Sequence, residues 1–419
     1  MDESIVPDEI VKLEQDLSDR VAGQDRAIKQ FVRMHEFVLG GLTPQDRPLG
    51  VVLLVGPTGS GKTHIAETFC DIMKISLIKV DCAEFQQSHE IAKLIGSPPG
   101  YLGHKDTKPV ITKEAITKRW SEPNAPKYSM ILFDEIEKAH NAFHQILLGI
   151  MDRGTLTLGT NETVDLKNCI IVVTSNLGSG EVKKLLQTGG YGFVKKNEGT
   201  SVSGELALDE DIYRASKDAV KKFFSPEFFN RIDLMVVFRS LTEDVLRRIL
   251  DIELKIVQDR VLKAGKFIHI DVTNRGKELL IAEGTSKEYG ARHLRRSIER
   301  FLVSKITRAL TTKQAQPGDM ILADHEPGAK GLVLDIAKGA MEIPQPTEKP
   351  VCTAIVKKPK HAFINPEDRQ AASPYRSAID PEYCGRCGFR WYDKHLCADL
   401  TDSPLSRFRK KMDERRLKS

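Results

Sequence analysis

No apolar run in this chain approaches the ~18 residues that a membrane-spanning helix requires, so the sequence offers no candidate span. Its amino terminus, MDESIVPDEI, lacks the basic stretch and apolar core of an export signal. Cysteine is sparse and odd in number, seven in 419 residues. That excludes a complete disulfide framework and suits a reducing compartment. Together these absences place the expected site of action in the cytoplasm. No repeat of solenoid period is visible, and no heptad run supports a coiled coil.

The rest of the composition is that of a soluble globular protein, 40% hydrophobic and 29% charged. The length allows two or three domains, each able to bury a full core. The net charge of +5 is unevenly spread: residues 351–419 hold 15 basic and 9 acidic side chains, leaving a nearly neutral body and a basic tail.

Along the body, short continuous apolar runs recur at 50–56, 76–80, 129–133 and 169–174, and more weakly at 234–238. Such runs read as strands buried on both faces. Helical periods fall between them, at 62–73, 88–95, 110–120 and 140–152. Strands alternating with helices predict an α/β fold with a parallel sheet covered on both sides. Residues 178–205 read as a long Gly/Ser/Lys-rich loop. Beyond the last strand, amphipathic helices at 242–263 and 290–310 and a hairpin at 320–336 predict a second, mainly helical domain. The expected division is an N-terminal segment (1–20), a large α/β domain (21–240), a smaller domain (241–338), a Pro-rich linker (339–381) and a tail (382–419).

GPTGSGKT at 56–63 follows the first strand and opens a helix, the context of a phosphate-binding loop. Gly56, Gly59 and Gly61 let the backbone amides turn inward, with Pro57, Thr58 and Ser60 completing the cradle. Lys62 is expected on the β- and γ-phosphates and Thr63 on Mg²⁺. ILFDEIEKAH at 131–140 ends a strand in Asp134 and Glu135, at the carboxyl edge where α/β sheets bind ligands. Asp134 is expected in the Mg²⁺ shell and Glu135 on the attacking water, while Glu137 and Lys138 read as surface charges. Asn176, in TSN at another strand end, is placed to position that water. Arg231 and Arg292 are the candidate cations for charge developing during phosphoryl transfer.

GPTGSGKT, GSPPGYLG (96–103), ILFDEIEKAH, TSNLGS, FFNRID and GAR occur in this order. Together they resemble the second ATPase module of the Clp chaperones (ClpA, ClpB, ClpC), an AAA+ module. The likeness covers roughly residues 10–338. It implies an AAA+ P-loop fold followed by a helical lid, ATP and Mg²⁺ as ligands, and Glu135 as the catalytic acid. It also implies Asn176 as the first sensor, Arg231 as a finger acting on the neighbouring subunit's ATP, and Arg292 as the second sensor. Val21 and Ala22, in RVAGQ, would line the adenine pocket. GSPPGYLG is similar to the axial pore loop, with Tyr101 and Leu102 gripping polypeptide. A flat aromatic suits that task, because it offers apolar contact without demanding a particular partner. A finger acting between subunits implies a ring, and the family forms hexamers.

The sequence also departs from that pattern. HKDTK replaces the acids and glycines that usually follow the pore loop. The chain opens almost directly at the second module, so the expectation is a single-ring machine. GGYGFVKK within 188–197 is similar to the loop by which some members dock on a ClpP-like peptidase, but lacks the usual aliphatic first residue; a disordered insert is the competing reading. Outside the resemblance, Cys384, Cys387, His395 and Cys397 could supply four ligands for Zn²⁺, with unliganded thiols as the alternative. The closing RFRKKMDERRLKS is either a solvated end or a contact for an acidic partner or nucleic acid. The expected function is an ATP-dependent unfoldase that threads unfolded or tagged proteins through a homohexameric pore. No membrane role is expected, and nucleic acid is an unfavoured partner. The alternatives are a remodeller of nucleic-acid or protein complexes and a regulatory nucleotide switch that hydrolyses little.

Overall fold

The computed structural model describes residues 7–339, except 42, 98–108, 124, 183–201, 285–291 and 327; of residues 202–209 and 292 only the backbone is described. Helices α1 (Asp8–Arg20) and α2 (Asp25–Leu39) lead into β1 (Gly50–Val55). There follow α3 (Lys62–Met73), β2 (Ser76–Asp81), the short α4 (Ile91–Ile95) and α5 (Lys113–Thr117), β3 (Ser129–Asp134) and α6 (Asn141–Arg153). A hairpin of β4 (Thr155–Thr157) and β5 (Thr163–Asp165) precedes β6 (Cys169–Ser175). The chain continues through α7 (Val202–Phe223), α8 (Pro226–Asn230), β7 (Leu234–Val237), α9 (Glu243–Lys263), β8 (His269–Val272) and α10 (Asn274–Gly284). Last come α11 (Arg292–Ile298), α12 (Ser304–Thr311), β9 (Met320–Asp324) and β10 (Val333–Ala337).

The described residues pack as two compact units: those within 7–257 and 277–303, and those within 258–276 and 304–339. The first is built on a five-stranded sheet of order β2-β3-β6-β1-β7 whose pairings are all parallel. Alternate residues of the central strands feed opposite faces. Val51, Leu53, Val55, Ile131, Phe133, Ile171 and Val173 pack with Phe143, Leu147 and Ile150 of α6. Val52, Leu54, Met130, Leu132, Ile170 and Val172 pack instead with Ile10, Phe31, Ile65 and Phe69 from α1, α2 and α3. Both faces are therefore dry, which is why β1, β3 and β6 are continuously apolar. β2, at the sheet edge, alternates: Lys79 and Asp81 are exposed while Ile78 and Val80 are buried.

The second unit carries a three-stranded sheet. β9 and β10 form the expected hairpin, and β8 adds to it in parallel register. Where residues 178–205 read as loop, the described helix α7 begins at Val202. The helix expected at 290–310 is broken into α11, a π-helical turn (Glu299–Val303) and α12. No helix among the described residues is long and apolar enough to cross a membrane. Tyr101, Leu102, the 188–197 loop, Cys384, Cys387, His395, Cys397 and the basic carboxyl end lie outside the described residues.

Candidate functional site

Parallel strands end on one side of a sheet, and this sheet brings the chemistry-bearing residues to that edge. The 56–61 loop joins β1 to α3, Asp134 closes β3, and Asn176 follows β6, which lies between β1 and β3. The loop's glycines adopt backbone angles that other residues rarely reach: φ is 155° at Gly56, 75° at Gly59 and 99° at Gly61. Gly56 is also wedged against its neighbour. A Cβ there would stand 2.7 Å from the carbonyl oxygen of Phe238.

Lys62 is buried at the first turn of α3. Its ammonium donates to the carbonyls of Gly56 (2.8 Å) and Pro57 (3.0 Å) and to Asn176 Oδ1 (2.9 Å). Thr58 Oγ1 donates to the same Asn176 oxygen at 3.3 Å. Thr63 Oγ1 lies 3.1 Å from both carboxylate oxygens of Asp134. Thr174 ties the two acids together: its hydroxyl donates to Asp134 Oδ1 and accepts the Glu135 N–H at 3.0 Å. Lys79 stands 3.7 Å from the other Asp134 oxygen.

Glu135 adopts a left-handed conformation, φ 57° and ψ 50°. That is uncommon for a residue with a side chain and costs of order 1–3 kcal/mol, so surrounding contacts must hold it. The Thr174 bond is one, and a pairing of Glu135 Oε2 with Lys138 is another. The same hydrogen bond holds the Lys138 ammonium above its ordinary pKa. Lys138 is exposed, a surface charge as read from the sequence, and it is paired. Glu137, read the same way, is half-buried: its Oε1 accepts both the backbone N–H and the side-chain Nδ2 of Asn176, each at 3.0 Å. Asn176 Nδ2 lies 3.4 Å from Glu135 Oε1.

Gln24 was not singled out by the sequence. It is buried, and its Nε2 donates to the Ser60 carbonyl (3.1 Å) and the Arg239 carbonyl (3.2 Å), joining the phosphate loop to the segment after β7. In RVAGQDRAI it stands beside Asp25 and Arg26, so the sequence carries no signal that it is buried. Val21 and Ala22 are buried, with Val21 in the same core cluster as Ile10 and Phe31. Arg231 ends α8 and pairs with Asp152 on α6 at 2.7 Å, both half-exposed. Arg292 begins α11, and its side chain is not described.

Several observations fit a bound phosphate chain. Helix α3 opens without a side-chain cap, at a glycine whose missing Cβ faces open space. Ser60 Oγ is buried without a hydrogen-bond partner. An uncapped helix start with inward amides is an anion site. The Thr63 hydroxyl and the Asp134 carboxylate form a hard oxygen set of the kind Mg²⁺ prefers. Among the described residues no group of three or more His, Cys, Asp or Glu side chains is placed to hold a metal ion, so protein groups alone would give Mg²⁺ only the Thr63 and Asp134 oxygens.

The family model for the AAA domain (Cdc48 subfamily) matches residues 47–235, and that for the C-terminal, D2-small domain of ClpB protein matches residues 241–323. Chaperone protein ClpC2, chloroplastic, of Oryza sativa subsp. japonica is 36% identical over 344 residues, 81% of this chain and 35% of the relative. Chaperone protein ClpB of Clostridium tetani is 36% identical over 320 residues, 76% of this chain and 34% of the relative. Among solved structures, the Saccharomyces cerevisiae Hsp104–ADP complex superposes with a TM-score of 0.62 at 29% identity, covering 78% of this chain and 52% of that one. A closed-state reconstruction of Hsp104 with ATPγS and FITC-casein gives 0.61 at 27%, with the same coverage. The chain spans about a third of the length of the curated relatives it matches.

Proposed function

Because this chain belongs to the Clp-type AAA+ ATPases, we propose that it hydrolyses ATP and uses the cycle to unfold and thread polypeptide through the pore of a homohexamer. The observation that carries the reading is that Lys62, Asn176 and Glu135 form one hydrogen-bonded chain and Thr63 and Asp134 a second pair, all at the carboxyl end of the same sheet.

Lys62 is already desolvated, and its charge reaches the β/γ-phosphates by exchanging one of its bonds to the Gly56 and Pro57 carbonyls or Asn176 for a phosphate oxygen. Thr63 and Asp134 would hold Mg²⁺, which supplies charge neutralisation at the phosphate oxygens. Glu135 orients and polarises the attacking water, and the Asn176 amide fixes the space between Glu135 and Lys62. Arg231 acts on the ATP of the adjacent subunit, and its release from Asp152 accompanies that engagement. Arg292 reports nucleotide state from the smaller domain, and Val21 and Ala22 border adenine. The division into a large domain (21–240) and a lid (241–338) belongs to this proposal, as do Tyr101 and Leu102 as the substrate grip. Docking of a ClpP-like peptidase on the 188–197 loop and Zn²⁺ binding by Cys384, Cys387, His395 and Cys397 are further parts of this proposal. So is the cytoplasmic setting, which suits the buried free thiols of Cys70, Cys82 and Cys169.

The test is ATP turnover by the full chain, with unfolded protein and single-stranded DNA compared side by side. Stimulation by unfolded protein is expected. Stimulation by DNA alone would overturn the reading in favour of a nucleic-acid remodeller.

A further inference from the structure

We infer that Glu137 is a positioning residue for hydrolysis: it sets the orientation of the Asn176 amide and leaves Glu135 only the longer contact to it. The inference deepens the ATPase reading and rests on it.

A primary amide presents a donor at one end and an acceptor at the other, so its function depends on which end faces which neighbour. Asn176 sits between opposite demands. On one side are two donors, Lys62 Nζ at 2.9 Å and Thr58 Oγ1 at 3.3 Å. On the other are two carboxylates, Glu137 at 3.0 Å and Glu135 at 3.4 Å. An ionised carboxylate only accepts. The shorter contact is to Glu137, which also takes the Asn176 backbone N–H through the same oxygen. Glu137 therefore holds both the main chain and the amide of this residue. Without it, the NH₂ end is left to Glu135, at a distance near the limit of a hydrogen bond. The acid needed for water would then be spent on orienting its neighbour.

Local geometry makes this possible. The left-handed turn at Glu135 leads into a 3-10 turn, Ile136–Lys138, in which Ile136 is fully buried. Glu137 is thereby directed toward Asn176, while Lys138 comes back onto Glu135. The second oxygen of Glu137, Oε2, is buried and has no hydrogen-bond partner. This detail separates positioning from chemistry. Glutamine can keep the accepting oxygen on Asn176 and place its NH₂ where nothing is now bonded.

The experiment measures steady-state ATP hydrolysis and binding of a fluorescent ATP analogue for the full chain, for Glu137→Ala and Glu137→Gln, and for each with Asn176→Ala. Expected is a fall in kcat of about 10–100-fold for Glu137→Ala, taken by analogy from the loss of a partner that orients a metal ligand, with analogue affinity kept within about threefold. Glu137→Gln is expected to retain most of the wild-type rate. In the Asn176→Ala background, Glu137→Ala should cost little more, because the residue it positions is gone. A Glu137→Ala enzyme at the wild-type rate overturns the inference. So does a glutamine variant as slow as alanine, which would assign the role to charge, or full additivity with Asn176→Ala, which would make Glu137 a structural residue. Absent turnover in the wild type overturns the ATPase reading itself, and this inference with it.

Discussion

The two outer glycines of the phosphate loop predict opposite phenotypes, although both have positive φ. At Gly56, with φ 155°, an added Cβ would meet the Phe238 carbonyl oxygen at 2.7 Å and its Cβ at 2.8 Å. Phe238 is 1% exposed and its N–H is fixed to the Val55 carbonyl at 2.7 Å, so it has nowhere to move. Gly56→Ala therefore combines backbone strain of about 1–3 kcal/mol with overpacking of about 1–3 kcal/mol, a total of about 2–6 kcal/mol. That is a large part of the ~5–15 kcal/mol by which a domain is stable. At Gly61, with φ 99°, nothing lies within 4 Å of the added atom. Gly61→Ala costs only the strain, but it fills the space that a phosphate chain would use. The assay is urea unfolding without nucleotide, paired with titration of a fluorescent ATP analogue. Gly56→Ala should lose the larger part of its midpoint at constant m. Gly61→Ala should keep most of its midpoint and lose at least about tenfold in affinity, about 1.4 kcal/mol. Equal midpoints for the two variants, or tight analogue binding by Gly61→Ala, would refute the reasoning.

Glu135→Gln should bind ATP and assemble normally while turnover falls by about 10²–10⁴-fold, the usual worth of a positioned acid–base group; residual hydrolysis near wild type would remove Glu135 from its role. His35 is fully buried with Nδ1 3.0 Å from the Tyr128 hydroxyl and the Phe69 ring 6.2 Å away. Burial lowers its pKa below 6.5, against the opposing charge of Glu9. As pH falls through about 6.5 the unfolded chain takes up a proton that the folded state refuses, so stability drops toward the folded pKa. His35→Gln should flatten Tm against pH between about 7 and 5; an unchanged slope would refute the assignment. Tyr101→Ala should keep basal ATP hydrolysis and lose unfolding; retained unfolding would place the grip elsewhere.

The parts legible in the sequence were those with a one-dimensional signature. The continuous apolar runs of β1, β3 and β6 announce burial on both faces, and GPTGSGKT between a strand and a helix announces the phosphate loop. Asp134 and Asn176 could be placed because strand ends are visible where apolar runs stop. Glu137 was not legible, since EIEKAH has the polarity of any exposed turn. Only the left-handed Glu135 and the following 3-10 turn bring it to Asn176. The β4–β5 hairpin was missed because its strands are three residues long, although Asn161 at φ 65° marks its turn. Helix α1 was equally readable in retrospect: Ile10, Leu13 and Leu17 sit at helical spacing and are all buried. The pairing of Arg231 with Asp152 joins residues far apart in sequence, a contact that periodicity does not encode.

The proposed function is mechanical: ATP turnover beside Lys62, Glu135 and Asn176 would pull polypeptide. Its most direct measurement is single-turnover unfolding of a stable fluorescent protein bearing an unstructured tail, by the full chain with ATP, beside the Glu135→Gln variant. Fluorescence should decay with ATP and the wild type, and persist with Glu135→Gln. Steady fluorescence while the wild type consumes ATP at its normal rate would contradict the account.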